Sequence, residues 1–192
     1  MPTVPAMIPI ALDPTAVPVA VAGRGEPALR RFRALRGEQA RNMLLFTDLP
    51  DSRLQAVVGP SLRLRLPRQA DLAGLRLLWI AGLPDAMAAE LATRARSARV
   101  LVNVEDRPPL CDFHSVAEVR RGDLLLTIST GGASPGLAAR IRARLATEFG
   151  PEWGERLAQL RHRRAGWRRD GRRPAEITEL TNALLQANGW LA

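Results

Sequence analysis

Two groups of residues in this chain have the types and spacing to do chemistry. The first is Gly23-x-Gly25-x-x-Ala28, set between a short apolar run, Pro18 to Ala22, and a segment with apolar or small residues at Ala28, Leu29, Phe32 and Leu35. A glycine-rich turn between strand and helix is a device for holding a dinucleotide. The first glycine permits the tight turn, the second lets the backbone approach a pyrophosphate, and the small third residue lets helix and strand pack closely. Amides at the helix N-terminus then face the phosphates. Arg24 and Glu26 lie within the loop and join Gly23, Gly25 and Ala28 as cofactor-side candidates; the Arg24 side chain is expected near the pyrophosphate or in water. Asp48 ends a second apolar run, Met43 to Thr47, where an acidic residue is expected to take the ribose 2′-OH. It would repel a 2′-phosphate, so NAD is the expected cofactor. The competing readings are an ordinary glycine-rich turn and a turn aspartate in Thr47-Asp48-Leu49-Pro50.

The second group is Asn103-Val104-Glu105-Asp106-Arg107-Pro108 with Ser129-Thr130-Gly131-Gly132-Ala133-Ser134-Pro135. Taken alone, Asp106 is either a strand-end turn residue or a carboxylate able to move a proton. Ser129 and Thr130 are either turn hydroxyls or pocket-lining groups.

Composition narrows the field. The 192 residues carry a net charge of +9 and are 46% apolar, so a packed core is expected and wholesale disorder is not. No apolar run is long enough to span a membrane, and Met1 to Ile10 lacks the basic start of a signal peptide, so a cytoplasmic protein is expected. A single cysteine, Cys111, excludes an intrachain disulfide and reads as a small buried hydrophobe. With only His114 and His162 beside it, no structural zinc spacing exists and no metal site is expected. All 28 basic residues are arginine. Without lysine there is no P-loop and no Schiff-base chemistry. A field of permanent cations attracts polyanions: nucleic acid, anionic lipid or a small polycarboxylate.

These residues must be positioned by an alternating pattern. Pro18–Ala22, Met43–Thr47, Leu75–Ala81 and Arg99–Val104 read as strands, and Leu62–Leu66, strictly alternating, as a half-exposed strand near an edge. Glu26–Arg36 and Pro84–Ala98 read as helices. That order predicts a parallel α/β sheet. Asp112–Val119 and Asp123–Ile128 read as further strands. Gly131-Gly132 breaks the chain, and Ser134-Pro135 opens a helix reaching about Phe149. Two more helices follow, around Leu157–Arg164 and Ala175–Asn188, with an arginine-rich stretch, Arg161 to Arg173, between them.

In this order the motifs resemble one family, the precorrin-2 dehydrogenase/sirohydrochlorin ferrochelatase module of siroheme synthases. The likeness covers residues 7 to 148 and is most specific at Asn103–Pro108 and at Ser129–Pro135 with Leu137, Ala138 and Arg140 behind it. It implies an α/β fold: a Rossmann-type parallel sheet (1–110), a small α/β dimerisation segment (111–148) and a helical C-terminal tail (149–192). It implies that Asp106 is the catalytic group, and that Asn103, Ser129, Thr130, Gly131, Gly132 and His114 face the tetrapyrrole. It implies NAD-dependent oxidation of precorrin-2 to sirohydrochlorin, with Fe²⁺ or Co²⁺ as a chelation substrate if the second activity is kept. Precorrin-2 bears many carboxylates, which suits an arginine-rich cleft. Asp106 can take the proton lost as hydride leaves for NAD.

The chain also departs from the family pattern. Gln39 stands where the family has glycine before Ala40-Arg41, with Gly37 two residues earlier. Gly82-Leu83-Pro84-Asp85 and Ala88 replace Thr-Asp-Asp and a following Asn. His114, Ser115 and Val116 replace apolar residues and Pro. These changes bear on nicotinamide placement and pocket shape. No methyltransferase domain is expected at this length. The alternatives are a dehydrogenase without chelatase activity, a non-catalytic tetrapyrrole- or nucleotide-binding protein, and a nucleic-acid binder stacking bases on Trp153 and Trp167 beside the arginine stretch. No recognised nucleic-acid motif accompanies the last, so the expected partners are precorrin-2 and a second copy of the chain, with no nucleic acid and no membrane.

Overall fold

The computed structural model describes residues 7–36 and 43–191 and divides the chain into two compact units, Met1–Ser115 and Val116–Ala192. The departures at Gly37 and Gln39, and the Ala40-Arg41 pair, lie outside the described residues.

In the first unit, β1 (Val19–Gly23), α1 (Gly25–Arg36), β2 (Leu44–Phe46), α2 (Ser52–Val58), β3 (Leu62–Arg63), α3 (Gln69–Ala73), β4 (Leu77–Ala81), α4 (Asp85–Ser97) and β5 (Leu101–Val104) follow one another. The five strands are parallel, in the order β3-β2-β1-β4-β5. The chain builds outward from β1 on one side, then returns to β4 on the other. A crevice therefore opens beyond the carboxyl ends of β1 and β4.

Both faces of the sheet are covered, which is why its strands read as near-continuous apolar runs. Ala20, Ala22, Leu78, Ile80, Val102 and Val104 pack with Ala88, Leu91, Ala92 and Ala95 of α4. Val21, Leu45, Leu77 and Trp79 pack with Ala28, Leu29 and Phe32 of α1 and with Leu54 and Val58 of α2.

Two sequence expectations need correction, and two helices are new. The Leu62–Leu66 strand lies at the sheet edge as expected but shrinks to two residues. Arg65 leaves it to grip Asp71 at 2.6 and 3.0 Å, and the same carboxylate accepts the Arg68 N–H at the start of α3. The Asp112–Val119 strand starts only at Ala117. Asp112 is held on the edge of β5 instead: its N–H donates to the Val102 carbonyl, and its carboxylate accepts the Val102 N–H at 2.9 Å and Arg96 Nε at 2.8 Å. The helices α2 and α3 were not anticipated. Asp51 caps α2 by accepting the Leu54 N–H at 2.7 Å.

In the second unit, β6 (Ala117–Arg121) and β7 (Leu124–Ile128) form an antiparallel hairpin turning at Gly122-Asp123. Then come α5 (Pro135–Glu148), α6 (Trp153–Arg169) and α7 (Pro174–Ala187). Ser134 caps α5 through the Leu137 N–H, with Pro135 at its first turn, as the sequence predicts. Arg121 ties the hairpin to the other end of α5 by donating to the Ala146 and Phe149 carbonyls at 3.0 and 2.8 Å. A cation there also answers the negative end of the helix dipole. Most of the arginine stretch belongs to α6 rather than to a connection. Among the described residues no helix is long and apolar enough to cross a membrane.

Candidate active site

The loop after β1 is shaped by close contacts. A β-carbon on Gly23 would lie 1.8 Å from the Ala81 carbonyl oxygen and 3.1 Å from Ala28 Cβ. Gly23 is thus what lets β1, β4 and the start of α1 come together. The Arg24 N–H donates to the same Ala81 carbonyl at 3.1 Å. From the other side, a β-carbon on Gly82 would meet the Arg24 carbonyl oxygen at 2.4 Å, so the Arg24 backbone is fixed on both flanks.

Gly25 is different. Its φ is +58°, a left-handed value that disfavours any side chain, and a β-carbon there would meet only Pro27 Cδ, at 3.9 Å. The space above it is open, and it starts α1. Open backbone at a helix N-terminus suits a pyrophosphate, so the cradle fits a dinucleotide. Ala28 is fully buried against the sheet. Glu26 pairs with Arg53 of α2 at 2.8 Å.

The Arg24 side chain faces neither water alone nor an empty cleft. It crosses to Asp48, just beyond β2, and binds it in bidentate fashion: Nε to Oδ1 at 2.7 Å and Nη2 to Oδ2 at 2.6 Å. Nη2 also lies 3.5 Å from Met87 Sδ on α4. The guanidinium therefore reaches residues on both sides of β1. Hydrogen bonding from Arg24 holds the Asp48 carboxyl below the usual aspartate range and raises the guanidinium in turn.

Asp106 lies just past the carboxyl end of β5, two strands from β1, whose carboxyl end carries the Gly23–Gly25 loop. It is exposed and left-handed, with φ +57°, a conformation that aspartate tolerates better than most residues. It makes no hydrogen bond or ion pair among the described residues. Its neighbour Glu105 faces α1, accepting from Arg30 Nη2 at 2.8 Å with Arg31 Nη2 at 4.0 Å. The charge of Asp106 is felt by both arginines. Arg31 is the more buried of the two, and desolvation pushes its guanidinium down from the ordinary value. It donates to Ser115 Oγ at 3.0 Å, which also accepts from Trp79 Nε1 at 3.0 Å. Sequence reasoning passed over Arg30 and Arg31; adjacent arginines on a helix that begins at a phosphate loop were the available signal.

Asn103 is buried, and its Nδ2 donates to the Phe113 carbonyl at 2.9 Å. This bond and the Asp112 contacts fasten the segment after β5 to the sheet edge. Cys111 lies beneath, its thiol donating to the Val104 carbonyl at 3.2 Å; burial pushes the thiol up, so it stays protonated. His114 is half-buried between Phe113, whose ring stands edge-on to Trp79 at 4.9 Å, and Ser115.

The remaining expected pocket residues belong to the second unit. Ser129 Oγ accepts the Gly131 N–H at 3.2 Å. Thr130 Oγ1 donates to the Ser134 carbonyl at 3.1 Å and accepts the Ser134 N–H at 3.3 Å. Gly131 and Gly132 both take positive φ and lead into the N-terminus of α5. The two hydroxyls thus hold the turn that presents these glycines. Trp153, a candidate for base stacking, is instead buried, tilted against Phe149 at 5.1 Å and covered by Arg156 at 4.9 Å.

A family model described as "Putative NAD(P)-binding" matches residues 10–117, and one described as "Sirohaem biosynthesis protein central" matches residues 121–148. A siroheme synthase of Ectopseudomonas mendocina is 35% identical over 144 residues, covering 74% of this chain and 31% of that protein. A siroheme synthase of Methylococcus capsulatus is 34% identical over 155 residues, covering 80% of this chain and 32% of that protein. The chain thus spans about a third of the length of the curated relatives it matches. Among solved structures, SirC, a precorrin-2 dehydrogenase, matches with a TM-score of 0.76 at 21% identity, over 97% of this chain and 93% of that one. That likeness shows the fold: a Rossmann-type parallel sheet followed by a hairpin and helices. The resemblance read from the motifs and these matches point the same way.

Proposed function

The chain belongs to the NAD(P)-binding family matched over residues 10–117, and on that premise we propose that it oxidises precorrin-2 to sirohydrochlorin with NAD. The observation that carries the proposal is the placement of Asp106: an exposed carboxylate without a hydrogen-bond partner among the described residues, at the same carboxyl end of the parallel sheet as the open Gly25 backbone. Bound at Gly23, Gly25 and Ala28, NAD supplies a hydride acceptor. As one C–H bond of precorrin-2 gives up its hydride, Asp106 takes a proton from a second C–H or N–H bond, whose electron pair forms the new double bond, and then passes that proton to water. Arg30 and Arg31 set a positive border beside it, suited to the carboxylates of the substrate. By the family resemblance, Ser129, Thr130, Gly131 and Gly132 of the second unit are assigned to substrate as well, the two hydroxyls holding the turn that presents the glycines.

The proposal includes a homodimer formed through about residues 111–148, in a cytoplasmic protein. β7 leaves Leu124, Leu125 and Leu126 half-exposed, and Leu137 and Ile141 on α5 are exposed. Apolar surface of this kind is ordinarily covered by a partner. The family likeness extends the reading to Fe²⁺ or Co²⁺ as a chelation substrate, tested by metallation of sirohydrochlorin without NAD. The dehydrogenase reading is tested by incubating the purified chain with precorrin-2 and NAD. Sirohydrochlorin absorbance is expected to rise together with NADH. A non-catalytic binding protein would bind both ligands and produce neither.

A further inference from the structure

We propose that Arg24 sets the choice between NAD and NADP, by pairing with the one acidic side chain at the ribose position. The inference rests on the reading that the Gly23–Ala28 loop holds a dinucleotide. An acidic residue beyond the second strand of such a fold accepts the adenosine 2′-OH and repels a 2′-phosphate, whereas an arginine nearby accommodates that phosphate. This chain has both, joined. The two short bonds between Arg24 and Asp48 place a guanidinium fork within hydrogen-bonding distance of the carboxylate that would receive the ribose.

Two consequences follow from that contact. The positive charge offsets the repulsion that Asp48 alone would exert on a 2′-phosphate. The planar fork that now grips two carboxylate oxygens has the geometry to grip two phosphate oxygens instead. Neither side chain is deeply buried, at 26% and 33% exposure, and exposed pairs are held weakly, so either partner is free to turn to a ligand. The backbone of Arg24 cannot turn with it, being fixed between Ala81 and Gly82. The guanidinium therefore moves about a fixed stem, with Met87 on its other side. NAD is still accepted through Asp48; NADP is tolerated through Arg24.

The test is titration of NAD and NADP into the parent chain, Arg24→Ala and Asp48→Ala, by calorimetry, with thermal melting to verify the fold of each. The parent is expected to bind NAD with a preference of no more than about tenfold over NADP. Arg24→Ala should lose NADP affinity and raise the preference for NAD by about tenfold or more, and Asp48→Ala should shift it toward NADP by a similar factor. Arg24→Lys, which keeps the charge and loses the fork, should fall between the parent and Arg24→Ala. Folded variants that keep the parent's NAD-to-NADP ratio overturn the role of Arg24 while leaving the dinucleotide site intact. A folded parent that binds neither dinucleotide overturns the site itself, and the inference with it.

Discussion

Gly23 approaches Ala81 so closely that a β-carbon at position 23 would lie 1.8 Å from the Ala81 carbonyl oxygen. The obstacle is backbone of the neighbouring strand, paired Gly23 to Ala81 in the parallel ladder, and cannot swing aside as a side chain could. Gly23→Ala should therefore destabilise the first unit by at least about 1–3 kcal/mol, the usual cost of forcing extra atoms into a packed core. Denaturant unfolding measures it. A variant as stable as the parent would mean that β1 and β4 are not held at this separation.

Gly25→Val addresses ligand rather than fold. The space above Gly25 is open, a β-carbon there meeting only Pro27 Cδ at 3.9 Å; the substitution imposes a branched side chain at φ +58° and fills the place where a pyrophosphate would come. Its stability cost should be roughly 1–2 kcal/mol for the left-handed backbone. NAD binding by calorimetry should disappear. Binding at the parent's affinity would remove this loop as the phosphate site.

Asp71 should make stability depend on acid. Hydrogen bonds from Arg65 hold its carboxyl below the ordinary aspartate range, and the Arg68 N–H adds to the effect. The folded state binds this proton less readily than the unfolded chain. The stability gained is complete above the unfolded value, about 3.9, and is lost as pH falls through the lower folded value. Asp71→Asn should lower the melting temperature at neutral pH and flatten its decline between about pH 5 and the acid limit. An unchanged acid profile would contradict the linkage.

The proposed dimer predicts a mass of two chains by light scattering at micromolar concentration. Ile141→Arg, on the exposed face of α5, should give a folded monomer, since a buried unpaired charge at an interface is strongly unfavourable. A parent chain that is already monomeric would rule out the 111–148 interface.

The sheet was legible because its inner strands are buried on both faces, and the apolar runs of β1 and β4 end at Gly23 and Gly82. The phosphate loop was legible because Gly23, Gly25 and Ala28 each answer a separate steric demand. What escaped was short or long-range. The two-turn helix α2 buries only Leu54 and Val58 fully, too short a pattern to show a period, although Asp51 marked its start. The end of β3 is set by Arg65 reaching Asp71, and the late start of β6 by Asp112 binding Val102. Pairings of this kind are chosen by the fold and leave no local pattern. The same holds for Arg24 and Asp48, 24 residues apart, each visible alone but not as a pair.

The central claim is that Asp106 carries the proton transfer of an NAD-dependent oxidation. Asparagine also tolerates a left-handed backbone, so Asp106→Asn should keep the fold while removing the base. The decisive measurement is the rate of sirohydrochlorin formation from precorrin-2 and NAD by Asp106→Asn against the parent, with NAD affinity determined in parallel. The rate is expected to fall by about 10²–10⁴-fold with affinity unchanged. Equal rates in the two proteins would contradict the assignment of Asp106.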